Sequence, residues 1–160
     1  MSILFSASEV VTMAVEIEKN GMAFYNALAA RSKNEKAKEL YTFLAAEEVR
    51  HKVTFQKLLD GLKKMELTAF EEDEYNNYLG ALTSSRIFRS DVNLDDILAE
   101  ADTDVKAMNL AIDAEKDAIL FYYELLGQAL SENSKAIEHI IKEEKNHMAK
   151  LICLRAELTG

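Results

Sequence analysis

Two stretches of this chain repeat each other. Residues 14–25 read AVEIEKNGMAFY and residues 111–122 read AIDAEKDAILFY, aligned at an offset of 97 with Ala, Glu, Lys, Phe and Tyr kept in place. A second matching pair follows: AAEEVRH ends at His51 and IKEEKNH ends at His147, at an offset of 96. Apolar residues around these pieces recur at helical spacing, so each half reads as a hairpin of two helices. Two such hairpins facing each other make an all-α four-helix bundle. The chain has no Pro and only five Gly among 160 residues, a length that fits one domain and a composition with few helix breakers.

Helix one is predicted from near Ser6 to about Ala30. Ser6-Ala-Ser-Glu9 has capping-box spacing, and Phe5 with Val10 can form the hydrophobic staple. Ser32-Lys-Asn-Glu35 is a second capping-box signature, opening helix two, which runs to about Leu62. Helix three starts at Asn93, with Asp95 and Asp96 favouring its dipole, and continues to about Leu130. Ser131-Glu-Asn-Ser interrupts the pattern, and helix four runs from about Asn133 to Leu158. The short connections make the helices of each hairpin antiparallel neighbours. Between the hairpins, roughly Lys63 to Val92 forms a long crossover with a short helix over Glu71–Leu82. A crossover of that length lets helices two and three run parallel.

The repeat carries a metal-site inventory. Residues three apart on a helix share a face, so Glu48 with His51, and Glu144 with His147, can each address one ion. Glu18 and Glu115 occupy matching places on the other helix of each hairpin. Four carboxylates and two imidazoles suit iron or manganese, and also zinc, and the carboxylates balance two divalent charges. Without metal, four such groups in a dry core would be unfavourable or would hold protons. A single Glu-x-x-His reads as a solvated surface face. Here two of only three histidines fall at equivalent repeat positions. Glu47 and Glu143, four residues before each histidine, are alternative ligands, although the stripe Leu44, Glu48, His51, Phe55 and Leu58 favours Glu48. Tyr25 and Tyr122 follow the helix-one and helix-three glutamates by seven residues, two turns along the same face. There a buried hydroxyl needs an acceptor such as a ligating carboxylate. Glu16 and Asp113 point to solvent, His139 reads as an exposed helix residue, and Cys153 as a buried thiol.

The net charge of −9, with nothing basic concentrated, argues against nucleic acid. No apolar run reaches transmembrane length and the N-terminus has no signal-peptide pattern, so the expectation is a cytoplasmic protein with no membrane association. One cysteine allows neither a disulfide framework nor a four-cysteine iron site within the chain.

With these residues in place, the sequence resembles the ferritin-like superfamily and, within it, the rubrerythrin-like proteins. The resemblance spans essentially the whole chain. It rests on Glu18 with Phe24-Tyr25, Glu48-x-x-His51, Glu115 with Phe121-Tyr122, and Glu144-x-x-His147. It implies a centre of two iron ions in a ferritin-like bundle, often within a homodimer. It also implies a non-haem oxidoreductase that reduces hydrogen peroxide or dioxygen. The alternative is a ferroxidase-type, iron-handling protein without efficient peroxidase turnover. On this reading Glu18 and Glu115 are terminal ligands, Glu48 and Glu144 bridge, and His51 and His147 cap the two ions. Tyr25 and Tyr122 orient carboxylates or relay protons. The chain departs from rubrerythrin proper in two places. It has no paired Cys-x-x-Cys motifs of a rubredoxin-type domain, so electrons must come from a separate donor protein. Ala118 stands where rubrerythrins have an additional glutamate, so the redox-linked shift of iron between ligands lacks its residue.

Overall fold

The computed structural model describes residues 7–62, 81, 93–129 and 131–160. Among them the chain is helical: α1 (Ala7–Arg31), α2 (Glu35–Leu62), α3 (Leu94–Glu100), α4 (Asp104–Gln128) and α5 (Ser131–Thr159). Phe5, Ser6 and, apart from Ala81, the crossover helix expected over Glu71–Leu82 lie outside the described residues. None of the described helices is long and apolar enough to cross a membrane.

The buried stripe of α1 runs Val10, Ala14, Ile17, Glu18, Gly21, Phe24, Tyr25, Leu28, and that of α2 runs Tyr41, Leu44, Glu48, His51, Phe55, Leu59. Steps of three and four keep each stripe on one face, so α1 and α2 pack as a hairpin. α4 and α5 pair in the same way. The hairpins then dock α1 on α4 and α2 on α5. Tyr25 meets Glu115 while Glu18 meets Tyr122, so α1 and α4 run antiparallel. It follows that α2 and α4 run parallel. Leu28, Tyr41 and Met108 close one end of the interior; Val10, Phe55 and Ile137 close the other. Each large apolar side chain buried there contributes about 1.5–3 kcal/mol.

The helix ends differ from expectation in three places. Asn34, not Ser32, caps α2: its Oδ1 accepts from the Ala37 N–H at 3.0 Å. The Ser32 hydroxyl instead donates to Asp104 Oδ1 at 2.7 Å, tying the first hairpin's turn to the second hairpin. The helix expected as continuous from Asn93 to Leu130 is two helices. The Ala101 N–H closes α3 on Ile97 and Leu98, and extended Thr103 starts α4 with its hydroxyl accepting from the Lys106 N–H. A Thr followed by Asp is a good enough start signal to split an otherwise helical run. Asn93 does cap α3, accepting from the Asp95 N–H. Lastly, residues 131–134 already belong to α5. Cys153 also departs from expectation: it is exposed, because the inward face of α5 there is set by Leu151 and Leu154.

Candidate metal centre

Midway along the bundle the apolar stripes are interrupted by charge. Glu18 from α1, Glu48 and His51 from α2, Glu115 from α4, and Glu144 and His147 from α5 converge there, none more than 5% exposed. They form two overlapping groups, Glu18–Glu48–His51–Glu144 and Glu48–Glu115–Glu144–His147. Within each group, one donor atom per residue lies within 4.8 Å of the others. Glu48 and Glu144 belong to both groups. Two cation positions side by side, spanned by two shared carboxylates, would use all six residues.

Glu144 shows the spanning geometry directly. Its Oε1 lies 2.9 Å from His51 Nδ1 and its Oε2 2.9 Å from His147 Nδ1. Both imidazoles therefore turn Nδ1 inward. Their outer nitrogens face Glu143 and Glu47. His51 Nε2 is 3.0 Å from Glu143 Oε2, and His147 Nε2 is 3.8 Å from Glu47 Oε2. The two acids are joined on the outside by Arg50, 2.9 Å from each, and His139 approaches Glu143 at 3.3 Å from the surface. A carboxylate behind a histidine fixes the tautomer and aim of the ring. Sequence reasoning offered Glu47 and Glu143 only as replacement ligands. The structure sets each against the outer nitrogen of the other hairpin's histidine, a contact that repeats within one half cannot reveal.

Tyr25 and Tyr122 are fully buried, and their hydroxyls donate to Glu115 and Glu18. Each phenol thus serves the carboxylate of the opposite hairpin. Tyr25 stacks on Tyr41, with ring centroids 6.3 Å apart, and Tyr122 packs on Phe55 at 4.8 Å.

Burial sets the electrostatics. It pushes the Glu48 carboxyl well above the usual carboxylate range, with Glu18 and Glu144 adding to the effect, and does the same to Glu115, with Glu144 adding. Burial alone would lower His51, but the Glu144 and Glu18 carboxylates prevail and hold it at about 11. For Glu144, burial works upward and loses to the two imidazoles, which hold it well below the usual range. Both inward tyrosines are raised, first by burial and then by the glutamates nearest them. Their hydroxyls stay protonated and remain donors.

The donor set fits a pair of divalent ions. Glu18 Oε2 and His51 Nδ1 are buried without an aligned hydrogen-bond partner, yet lie 3.5 Å apart. A cation between them would satisfy both atoms, and oxygen with imidazole donors suits iron or manganese. Glycine makes room for this. A methyl group on Gly21 would sit 2.9 Å from Glu48 Oε2. A gap of about 10 Å³ beside Gly21 and Ala118 reaches Glu48, Glu115 and Glu144, close to the least space that one water occupies.

A family comparison agrees with this geometry. The rubrerythrin family profile matches residues 9–155. A Thermotoga maritima structure described as a putative ferritin-like diiron-carboxylate protein is similar over 98% of this chain and 99% of its own. The two share 26% identity at a TM-score of 0.67. A hypothetical protein from Pyrococcus furiosus shares the fold at 23% identity and a TM-score of 0.69, over 97% of this chain and 91% of its own. No curated protein matches at a significant level.

Proposed function

The chain belongs to the rubrerythrin family, and from that premise we propose that it is a non-haem di-iron oxidoreductase reducing hydrogen peroxide or dioxygen, with electrons from a separate donor. One observation carries the reading: the two four-residue groups share Glu48 and Glu144, which is what a pair of ions needs and a single ion does not. The similarity to a protein described as a putative diiron-carboxylate protein supports iron. Glu18 and Glu115 are the proposed terminal ligands, Glu48 and Glu144 the bridging ones, and His51 and His147 the caps through Nδ1. Two irons held there would supply a two-electron reducing centre for an O–O bond.

The chain's own residues do the rest. Tyr25 and Tyr122 hold protons on their buried hydroxyls and aim Glu115 and Glu18. Glu143 and Glu47 steer the histidines from behind. The apolar ends of the bundle exclude water, which strengthens every charge interaction between them. The working unit is proposed to be a homodimer, as the family resemblance implies.

A second reading is iron handling by ferroxidase-type chemistry. The observation favouring it is Ala118: it lines the gap beside Glu115 and Glu144, where rubrerythrins place one more glutamate. Elemental analysis of anaerobically purified protein, paired with stopped-flow spectra after adding peroxide, tests both. Two irons per chain with rapid oxidation by peroxide support the oxidoreductase, and two irons that react slowly support iron handling. No stoichiometric metal after reconstitution sinks both.

A further inference from the structure

At the end of the bundle where the α1–α2 turn meets the start of α4 lies a cavity of about 530 Å³. Its size falls within the range of about 300–1,000 Å³ that takes small organic ligands. Leu28, Ala101 and Ala107 give it an apolar wall, Arg31 and Lys33 stand at it as cations, and Tyr41 forms part of its lining. Of its acids, Asp102 pairs with Lys106 at 2.8 Å, whereas Asp104 accepts from the Ser32 hydroxyl and keeps its charge, so two cations stand at the cavity against one uncompensated carboxylate. Among the described residues, neither Arg31 nor Lys33 has an acidic partner.

Tyr41 is the unexplained group. It is 0% exposed and, among the described residues, its hydroxyl has no hydrogen-bond partner, although a buried donor left unpaired costs about 1–3 kcal/mol. Burial, with Asp104 adding, raises its pKa, so it is a proton donor waiting for an acceptor. Its ring leads inward: Tyr41 stacks on Tyr25 at an interplanar angle of 23°, and the Tyr25 hydroxyl donates to Glu115. The matching position in the second half, at the offset of 96, is Ile137. Among the described residues, only the first half has this aromatic link from cavity to carboxylates.

We propose that this cavity binds a planar, redox-active organic anion of the flavin mononucleotide class and is where electrons enter the site. Arg31 and Lys33 take the anionic group, Tyr41 donates to a ring acceptor, and the Tyr41–Tyr25 stack bridges ligand and metal centre. This rests on the oxidoreductase reading. The reduced ring carries two electrons and two protons. Passing both electrons inward oxidises it to the flavin, and those electrons with two protons convert one hydrogen peroxide to two waters.

Binding is tested first, in metal-free protein, by titrating flavin mononucleotide and riboflavin and following flavin fluorescence. The mononucleotide should bind at least about tenfold more tightly than riboflavin, and an Arg31→Glu/Lys33→Glu variant should lose about tenfold. Tyr41→Phe should weaken binding several-fold while keeping the stack. No binding, equal binding of the two flavins, or a charge-reversed variant that binds like the parent would overturn the site. Electron transfer is tested by anaerobically mixing reduced flavin mononucleotide with ferric-loaded protein. At saturating flavin, Tyr41→Phe should keep the reoxidation rate and Tyr41→Leu should lose about tenfold. A Tyr41→Leu variant as fast as the parent would overturn the route. Neither readout uses peroxide, so a failure of peroxide turnover is seen separately.

Discussion

Stripping the metal should leave a protein that loses stability as the pH rises, the reverse of ordinary acid denaturation. Three groups set the sign. Glu48 and Glu115 are held well above the usual carboxylate range, first by burial and then by neighbouring glutamates. His51, which burial lowers, is held at about 11 by Glu144 and Glu18. In the unfolded chain these groups release their protons at about 4.3 for Glu and about 6.5 for His. Above neutrality the folded chain therefore binds more protons than the unfolded one, and stability falls as pH climbs towards the folded values. His51 alone contributes about 1.4 kcal/mol per pH unit between its unfolded value and about 11, and Glu48 and Glu115 act in the same direction. Against a total stability of about 5–15 kcal/mol, three pH units of that slope are a large loss. Glu144 runs the other way: held low, its contribution is present above the unfolded value and is lost only at acid pH. Divalent ions displace the three protons, so the loaded protein should be far less sensitive. The assay is urea unfolding followed by circular dichroism from about pH 6 to about pH 9. One series contains chelator and the other saturating manganese, which avoids oxidation. The chelated midpoint should drop at each step while the manganese midpoint stays nearly level. A chelated midpoint that is constant or rises would refute the claim that burial governs these carboxyls.

The shared position of Glu48 and Glu144 predicts an uneven stoichiometry. Glu48→Gln or Glu144→Gln should lose both ions, whereas Glu18→Gln or Glu115→Gln should lose one, as measured by elemental analysis; the loss of one ion in all four variants would contradict sharing. Gly21→Ala places a methyl group 2.9 Å from Glu48 Oε2 and should weaken metal binding about tenfold by calorimetric titration. Unchanged affinity would mean that Glu48 can give way freely. Tyr25→Phe removes the phenolic donor to Glu115 and should lower stability by about 1–3 kcal/mol in thermal melts; no change would show the hydrogen bond to be incidental.

Much of this arrangement could be read from one sequence because the repeat acts as an internal control. Glu48-x-x-His51 alone is an ordinary surface pattern; its recurrence at Glu144-x-x-His147, beside Glu18 and Glu115 in register, singles out the residues that the structure brings together. What stayed hidden depends on contacts between hairpins. Seven-residue spacing placed Tyr25 and Tyr122 near carboxylates, but not that each would serve the opposite half. Glu47 and Glu143 looked like competitors of their neighbours because periodicity cannot say which side of a distant imidazole a carboxylate meets. The break at Ala101–Thr103 was missed for a local reason: Leu94 to Gln128 keeps helical spacing throughout, and one threonine outweighs it. Ser32 misled because Asn34, two residues on, caps better, which frees the serine hydroxyl to reach Asp104.

The crossed pairing of donors and acceptors also makes each cation position a cross-link. One group joins Glu18, Glu48 and His51 to Glu144; the other joins Glu48 to Glu115, Glu144 and His147. An ion in either place clasps segments separated by the whole crossover, as a disulfide would, and narrows the ensemble available to the undocked chain. The entropy of closing a loop grows only slowly with its length. Such clasps would therefore hold the hairpins in register almost regardless of how many residues join them.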